Sequence, residues 1–232
     1  MAVSIDRVYQ KVLALANKEQ RGYITPQEFN LFANQAQMDI FEQYFYDISQ
    51  FSRIPGNNTE YSDMLNVLEE KIHYFETQKS VNKNATGTFH NLGSVADPYR
   101  VGTVLYNGST CEKINANKLE EINKSPLLKP SISRPVCVIK NDYQIYVYPQ
   151  TIIDPIVVNY IRKPDSVNWN SFDLSGGLLY DDTNSVDFEL HPSEETKLVI
   201  KILGLAGITL KDPALYQIAG AEDNKNIQQE KQ

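Results

Sequence analysis

The sequence contains few of the residues that build disulfide frameworks, metal centres and many active sites. It has only 2 cysteines and 3 histidines among 232 residues. Cys111 and Cys137 have no partner at the short spacing of metal ligands, which excludes a disulfide framework and a zinc ribbon. His73, His90 and His191 include no pair at i, i+4, and no serine lies in a nucleophile elbow. We therefore expect no catalytic residues, no bound metal and no cofactor.

Long apolar runs are also missing. The most apolar stretch, residues 199–210, is interrupted by Lys201 and by two glycines, so it falls short of the ~20 apolar residues that a membrane-spanning helix needs. Asp6 and Lys11 lie where a secretory signal would place its apolar segment. We expect a protein that is not exported through a signal peptide and does not contact a membrane.

Basic residues are outnumbered, with 22 Lys and Arg against 29 Asp and Glu and a net charge of -7. Surfaces that bind nucleic acids are basic, so specific binding of DNA or RNA is not expected. The imbalance is uneven, because residues 81–140 hold eight basic and four acidic residues, whereas residues 141–190 hold two and eight. If these parts form opposite flanks, copies of the chain can meet head to tail and close into a ring. A fold that interleaves the two parts would cancel this effect.

Helix-start signals and helical periodicity dominate residues 1–79. Ser4 is placed to cap a first helix, Thr25 and Glu28 form a capping box around Pro26 at the start of a second, and Thr59 is placed to cap a third. The predicted apolar faces are Ile5, Val8, Val12 and Leu15; Phe29, Phe32, Ala33, Ala36 and Ile40; and Met64, Leu65, Leu68, Ile72 and Phe75. We predict an N-terminal region of three helices.

Residues 80–190 change to short β-branched or aromatic runs separated by turn residues. The candidate strands are residues 99–106, 111–114, 136–140, 144–148 and 156–162. Asn107-Gly108 and Asn141-Asp142 favour hairpins, and residues 117–123 are more helical than extended. Three prolines within residues 126–135 suit a connection that crosses from one sheet to the other. We predict a small antiparallel β-sandwich or partly open barrel here.

The remaining residues, 191–232, are predicted to be helical with a polar tail. Ser193 is placed to cap a helix that ends at Gly207, and a last short helix would carry Leu215 and Ile218 on one face. The whole chain is therefore predicted to be an α+β protein. Because the last segment is too short to be a stable helix alone, we expect it to bind another protein; the alternative is a frayed terminus that packs on its own domain.

Aromatic residues are concentrated around the end of the second helix, on more than one of its faces. Packing against the third helix explains part of this concentration, and the excess of tyrosine favours a protein interface. The candidate partner-binding residues are Phe41, Tyr44, Tyr46 and Phe51 at this helix end, together with Leu215 and Ile218 near the C-terminus.

Two further patterns raise the question of ligand binding. Asp181, Asp182, Asp187 and Glu189 are candidate oxygen ligands for a divalent cation. Their spacing matches no recognised cation-binding loop, and a solvated turn leading into a strand is the alternative. Gly176-Gly177 lacks the neighbours that a phosphate-binding loop requires, so it is predicted to be a turn.

Three stretches of the sequence resemble virion structural proteins of tailed bacteriophages, particularly those of the crAss-like group. They read SIDRVYQKVLALANKEQRGYITPQEFNLFANQAQMDIFEQYF, VVNYIRKPDSVNW and SVDFELHPSEETKLVIKILGLAGITLKDPALYQIA. Residues 80–131 are the least familiar part. These motifs are specific to the group but carry no known chemistry, so they indicate a lineage more clearly than a role.

The resemblance implies a structural protein of the neck, a head-to-tail connector that forms a ring between portal and tail. It further implies a dodecamer that contacts the portal protein and other neck or tail proteins, with contact to DNA limited to the lumen of the ring. The protein would be made in the cytoplasm of the host bacterium and reside in the virion. The alternatives are a tail or capsid accessory component and a virion enzyme.

Overall fold

A computed structural model of the chain describes residues 3–17, 24–51, 59–141, 143–174, 177–209 and 221. In chain order, the elements are α1 (Ile5–Asn17), α2 (Pro26–Phe51), α3 (Thr59–His73), β1 (Glu76–Val81), β2 (His90–Asn91), β3 (Pro98–Tyr106), β4 (Ser109–Thr110), β5 (Glu112–Lys113), α4 (Ala116–Lys124), β6 (Val136–Lys140), β7 (Gln144–Tyr148), β8 (Ile156–Arg162), β9 (Ser171–Leu174), β10 (Gly177–Tyr180) and α5 (Glu195–Thr209). The predicted α+β class, with helices at the N-terminal side and a helix after the strands, is confirmed.

The chain divides into two compact units. The helical unit comprises residues 1–74 and 164–232, and the β unit comprises residues 75–163. The predicted β region reached residue 190, so residues 164–190 lie in a different unit from the one that the sequence indicated. The reason is that the side-chain amides of Asn30, Asn34 and Gln37 on α2 form hydrogen bonds with the backbone of this segment, and no local sequence pattern indicates such bonds.

The start of α2 follows the predicted chemistry. Thr25 and Glu28 form the reciprocal capping box, in which the Thr25 N–H donates to Glu28 Oε2 at 3.0 Å and the Glu28 N–H donates to Thr25 Oγ1 at 3.3 Å. Ile5, Val8 and Val12 on α1 are buried as predicted, but Leu15 is half exposed. Tyr9 and Ala16 are buried on α1 instead, because its buried face is rotated toward Trp169 and Phe29.

Helix α5 begins differently from the prediction. A 3-10 turn, Pro192–Glu194, precedes it, and the capping side chain is that of His191, whose Nδ1 accepts from the Ser193 N–H at 3.2 Å. Pro192 at the first position starts this turn before the predicted cap at Ser193, and α5 then continues through Gly207 to Thr209. The predicted last helix lies among residues 210–232, which apart from residue 221 are outside the described part of the chain.

The β unit contains two four-stranded sheets. The first sheet has the order β1-β8-β3-β4 and the second has the order β2-β7-β6-β5. Neighbouring strands in both sheets are antiparallel, except that β5 and β6 are parallel. One hydrophobic core contains side chains of both: Val81, Val101, Val104, Tyr106, Ile156, Val158 and Tyr160 from the first sheet, and Cys137, Ile145 and Val147 from the second. Two sheets that share one core form a small sandwich, and neither closes into a barrel within the described residues.

The chain passes between the two sheets at Cys111. The Cys111 N–H donates to the Val104 carbonyl of the first sheet at 2.8 Å, and the next N–H, that of Glu112, donates to the Pro135 carbonyl beside the second sheet at 3.0 Å. The predicted crossing at residues 126–135 is therefore wrong. Those residues belong to the connection between β5 and β6, which are parallel neighbours and so require a long crossover.

Helix α4 covers the outer face of the second sheet. Its Leu119 and Ile122 pack with Val136 and Val138 of β6, while the alternate residue Cys137 faces the sandwich core. The helical prediction for residues 117–123 is confirmed, and so is the hairpin β6–β7. Strand β3 turns back at Asn107-Gly108 as predicted, but its partner is β4, and the predicted partner strand 111–114 contributes β5 to the second sheet instead. None of the helices in the described part of the chain is long and apolar enough to span a bilayer.

Candidate protein-interaction surfaces

The aromatic residues of α2 divide between the core and the surface. Phe41 and Tyr44 are buried in the helical unit. Phe41 meets Phe45 edge to face at 5.1 Å between ring centroids, and the Lys71 ammonium of α3 lies 5.6 Å from the centre of the Tyr44 ring. Phe41 and Tyr44 therefore lie in the core of the helical unit, and Tyr44 contacts the third helix.

Tyr46 lies on the opposite side of α2 and is 53% exposed. Its hydroxyl accepts a hydrogen bond from Gln50 Nε2 at 2.7 Å, which holds the ring along the helix surface. The side chain of Phe51, and both Leu215 and Ile218, lie outside the described residues. Of the predicted partner-binding residues, Tyr46 is thus the one that the structure places on the surface, and its role stays a prediction.

The three histidines lie at separate places. His90 is buried in the β unit, where its Nε2 is 3.3 Å from the Asp154 carbonyl oxygen, and burial lowers its pKa. His191 caps the turn before α5, and His73 is exposed at the end of α3. Burial raises the pKa of Cys111 to about 11 and that of Cys137 to about 12, so both thiols are protonated at neutral pH.

Three of the acidic candidate ligands, Asp181, Asp187 and Glu189, accept hydrogen bonds from three different backbone segments. Asp181 accepts from the N–H groups of Thr183 and Asn184 within its own turn, and the Asn184 side-chain hydrogen bond lowers its pKa. Asp187 accepts from the Ile5 N–H at 2.8 Å, which satisfies the start of α1, and Glu189 accepts from the Asp165 N–H at 2.9 Å. Within the described residues, no group of three His, Cys, Asp or Glu side chains is arranged to hold a metal ion.

A bulge in strand β3 makes a shallow depression of about 500 Å³ on the outer face of the first sheet. Gly102 and Thr103 together oppose Asn159 of β8, and a Cβ on Gly102 would lie 3.0 Å from the Asn159 carbonyl oxygen. The lining is mostly neutral and polar, with one carboxylate, that of Glu76. The depression offers hydrogen bonds without a second charged group that would orient a substrate.

The connection between α4 and β6, residues 125–135, exposes apolar side chains; we call it the crossover loop. Leu127 is 92% exposed, Ile132 is 63% exposed and Leu128 is half exposed. Reciprocal backbone hydrogen bonds of 3.1 and 3.2 Å between Ser131 and Arg134 close a tight turn with Ile132 at its tip. The loop therefore holds these apolar groups in solvent by its own backbone structure.

A second exposed apolar surface lies on the hairpin of β9 and β10, in the helical unit. Phe172 and Leu179 are directly opposite each other in the register, and both are about half exposed. The neighbouring Tyr180, which points to the other face, stacks on Trp169 at 5.9 Å between ring centroids. Side chains alternate between the two faces of a strand, so the hairpin has one face on the helical unit and one apolar face in solvent.

No known protein family has a model that matches the sequence, and no curated protein is similar to it. The crossover loop and the β9–β10 hairpin are therefore candidate surfaces on the chemistry of their own side chains. Periodicity did not identify them, because Leu127 and Leu179 carry no local feature that distinguishes them from core leucines. The sequence feature that could have indicated these surfaces is the charge imbalance between residues 81–140 and 141–190. The crossover loop lies in the basic part, and the β9–β10 hairpin lies in the acidic part.

Proposed function

We propose that the protein is a structural subunit of a tailed-bacteriophage virion, in which copies of the chain form a dodecameric ring of the neck between portal and tail. The lineage comes from the resemblance of three stretches, including much of α1, α2 and α5. One observation supports assembly into a ring: each of the two units carries an exposed apolar surface.

Exposed apolar surfaces on a soluble chain commonly mark contacts with other proteins. The crossover loop lies in a part of the chain that is rich in Lys and Arg, and the β9–β10 hairpin lies in a part that is rich in Asp and Glu. Surfaces that are apolar and of opposite charge suit a head-to-tail contact between identical subunits. Head-to-tail contacts generate rings when the rotation between subunits closes.

The proposal is tested by the native mass of the full chain, measured alone and after mixing with the portal protein encoded by the same phage genome. We expect a particle with the mass of a dodecamer of 26.4 kDa subunits, either free or bound to the portal. Negative-stain images should show a ring with a central channel. A chain that stays monomeric in both conditions, or that turns over a substrate as a monomer, would contradict the proposal.

The partner in the virion is tested separately. A ring that binds the portal is expected to elute together with the portal protein in size-exclusion chromatography. A ring that binds only tail proteins would instead belong to the tail. A capsid accessory protein would instead attach to assembled capsids that lack a portal. Each of these results identifies one location, and only attachment to the portal or its neighbouring ring supports a role in the neck.

A further inference from the structure

The crossover loop combines exposed apolar side chains with uncompensated positive charge. Residues 122–139 contain Lys124, Lys129 and Arg134 and no acidic residue. Arg134 is already engaged, because its Nη2 donates to Glu112 Oε2 at 2.9 Å. Lys124 and Lys129 are exposed, and neither forms an ion pair with another described residue. Lys124 ends α4 directly before the loop, and Lys129 lies within it, so both ammonium groups are close in sequence to Leu127.

The β9–β10 hairpin has the opposite charge. Residues 164–196 contain no Lys or Arg. Asp187 and Glu189 accept hydrogen bonds from backbone N–H groups inside the helical unit. Asp182, the second residue after β10, is exposed and makes no hydrogen bond or ion pair with a described residue. Its carboxylate follows the strand that carries Leu179. The hairpin thus presents an apolar pair beside negative charge, the complement of the crossover loop.

We propose that the crossover loop of one copy binds the exposed face of the β9–β10 hairpin of the next copy. Leu127 and Ile132 cover Phe172 and Leu179. The ammonium groups of Lys124 and Lys129 face the acidic end of the hairpin. This contact specifies how the subunits of the proposed function meet, and it rests on that function. Because the two surfaces differ, the contact is heterologous. Each copy carries one crossover loop and one hairpin, so it can bind one neighbour on each side.

Cysteine cross-linking tests both the contact and its polarity. Leu127→Cys and Leu179→Cys chains, carrying different tags, are co-expressed and treated with a short bismaleimide. The native cysteines are buried and protonated, so they contribute little background. We expect a cross-linked dimer that contains both tags, and no cross-linked dimer from either chain expressed alone. A dimer joined through two Leu127→Cys chains would show a symmetric contact and overturn the proposal.

Two exposed apolar residues that belong to neither of the proposed surfaces provide matched controls. Leu31 on α2 is 71% exposed and Ile153 in the β unit is 74% exposed. Leu31→Cys paired with Leu127→Cys, and Ile153→Cys paired with Leu179→Cys, should give no mixed dimer under the same conditions. Equal cross-linking in these controls would show collision rather than a specific contact.

Charge reversal tests the electrostatic part. Lys124→Glu with Lys129→Glu should abolish the ring peak, and Asp182→Lys alone should reduce it, because like charges then meet. The three changes combined in one chain should restore the ring. Thermal melting of each variant shows whether its fold is retained. Arg100→Glu, at an exposed position of β3 outside both surfaces, serves as the charge-reversal control that leaves assembly unchanged.

The two proposals fail in different ways. If wild-type rings form but neither the cysteine pair nor the charge reversal has the expected effect, the assigned contact is wrong and the ring stands. If the wild-type chain is monomeric both alone and with the portal, the proposed function and this contact both fall. For a chain that assembles only on the portal, cross-linking is done on that complex, and the same outcomes apply.

Discussion

The side-chain amide of Asn34 forms hydrogen bonds with both backbone groups of Val167, which lies 133 positions later in the chain. Asn34 Nδ2 donates to the Val167 carbonyl at 2.9 Å, and Asn34 Oδ1 accepts from the Val167 N–H at 2.9 Å. Asn30, one turn earlier, does the same to Trp169 at 3.1 and 2.8 Å. Asn30 and Asn34 are four residues apart, which corresponds to a rise of ~6 Å along the helix. Val167 and Trp169 are two residues apart, which corresponds to roughly 6.6 Å of extended chain. The two distances match, so both amides can reach the segment.

Side-chain amides of helix α2 therefore form hydrogen bonds with the backbone of an extended segment, residues 165–169, much as a neighbouring strand would. Gln37 continues the series by donating to the Asp165 carbonyl at 2.8 Å. These amides satisfy backbone groups that would otherwise lack partners as the segment packs on the helix. The same series holds residues 164–169, and hence the start of the hairpin that follows, in the helical unit.

Asn34→Ala should destabilise the helical unit by about 1–3 kcal/mol, because it leaves the N–H and carbonyl of Val167 without partners. The free energy of unfolding in urea measures the effect. Gln35→Ala is the control, since Gln35 is exposed and donates only to Asp39 on its own helix. If the two variants are equally stable, the amide series does not hold the segment.

Lys71→Met should cost roughly 3–5 kcal/mol, because it leaves the Glu194 carboxylate buried without its cation. The Lys71 ammonium lies 2.5 Å from Glu194 Oε1, and both side chains are largely buried. The double variant Lys71→Met with Glu194→Leu should recover much of the loss. Glu112→Ala, which breaks the exposed pair with Arg134, should cost less than about 1 kcal/mol. Equal losses for the buried and exposed pairs would contradict this prediction.

Acid should weaken the β unit through His90. Burial holds the pKa of His90 below its ordinary value of about 6.5, so below that pH the unfolded chain binds a proton that the folded chain does not. This contribution is complete above about pH 6.5 and is lost as the pH falls toward the lowered pKa, at no more than about 1.4 kcal/mol per pH unit.

The measurement is hydrogen exchange of β6 and β7 amides between pH 7 and pH 5, after correction for the intrinsic exchange rate. Protection should fall with pH in the wild type and fall less in His90→Gln. Because the change with pH is compared, a constant loss of stability in the variant does not affect the result. His73→Gln, at an exposed position, should behave like the wild type; a pH response unchanged by His90→Gln would exclude this residue as the cause.

Gly102→Ala should destabilise the β unit by about 1–3 kcal/mol through overpacking. The added Cβ would lie 3.0 Å from the Asn159 carbonyl oxygen, which belongs to the backbone of the central strand β8 and cannot move aside easily. Thr103→Ala, at the exposed neighbouring position of the bulge, should be close to neutral. Thermal melting of both variants distinguishes them, and a stable Gly102→Ala protein would show that the bulge adapts.

Deleting residues 212–232 should leave the melting temperature nearly unchanged and abolish attachment to the portal or the adjacent ring. The reason is the short apolar stripe of Leu215 and Ile218, which suits binding to a groove of a partner. A shorter deletion, residues 222–232, removes the polar tail and should retain attachment. Unfolding of the longer deletion would place the segment in the core, and normal attachment would exclude it as the docking element.

Elements whose signals are local can be predicted from the amino-acid sequence alone. The capping box of Thr25 and Glu28 marks the start of α2, and its atoms lie within one turn of helix. Strands β6, β7 and β8 occupy the predicted residues, because their β-branched and aromatic runs and the turn residues between them act over a few positions. Such signals specify α+β structure without stating which elements meet.

The tertiary structure decided which side chains are buried and which segments share a unit. Tyr44 and Tyr46 are two positions apart on α2, yet only Tyr44 faces the helices packed against it. Residues 164–190 belong with α2 because Asn30 and Asn34 pair with them, and Leu127 is exposed because the crossover loop closes on its own backbone. These outcomes depend on contacts between distant residues, and the free energy of such contacts is set by the packed surfaces rather than by neighbours in the chain.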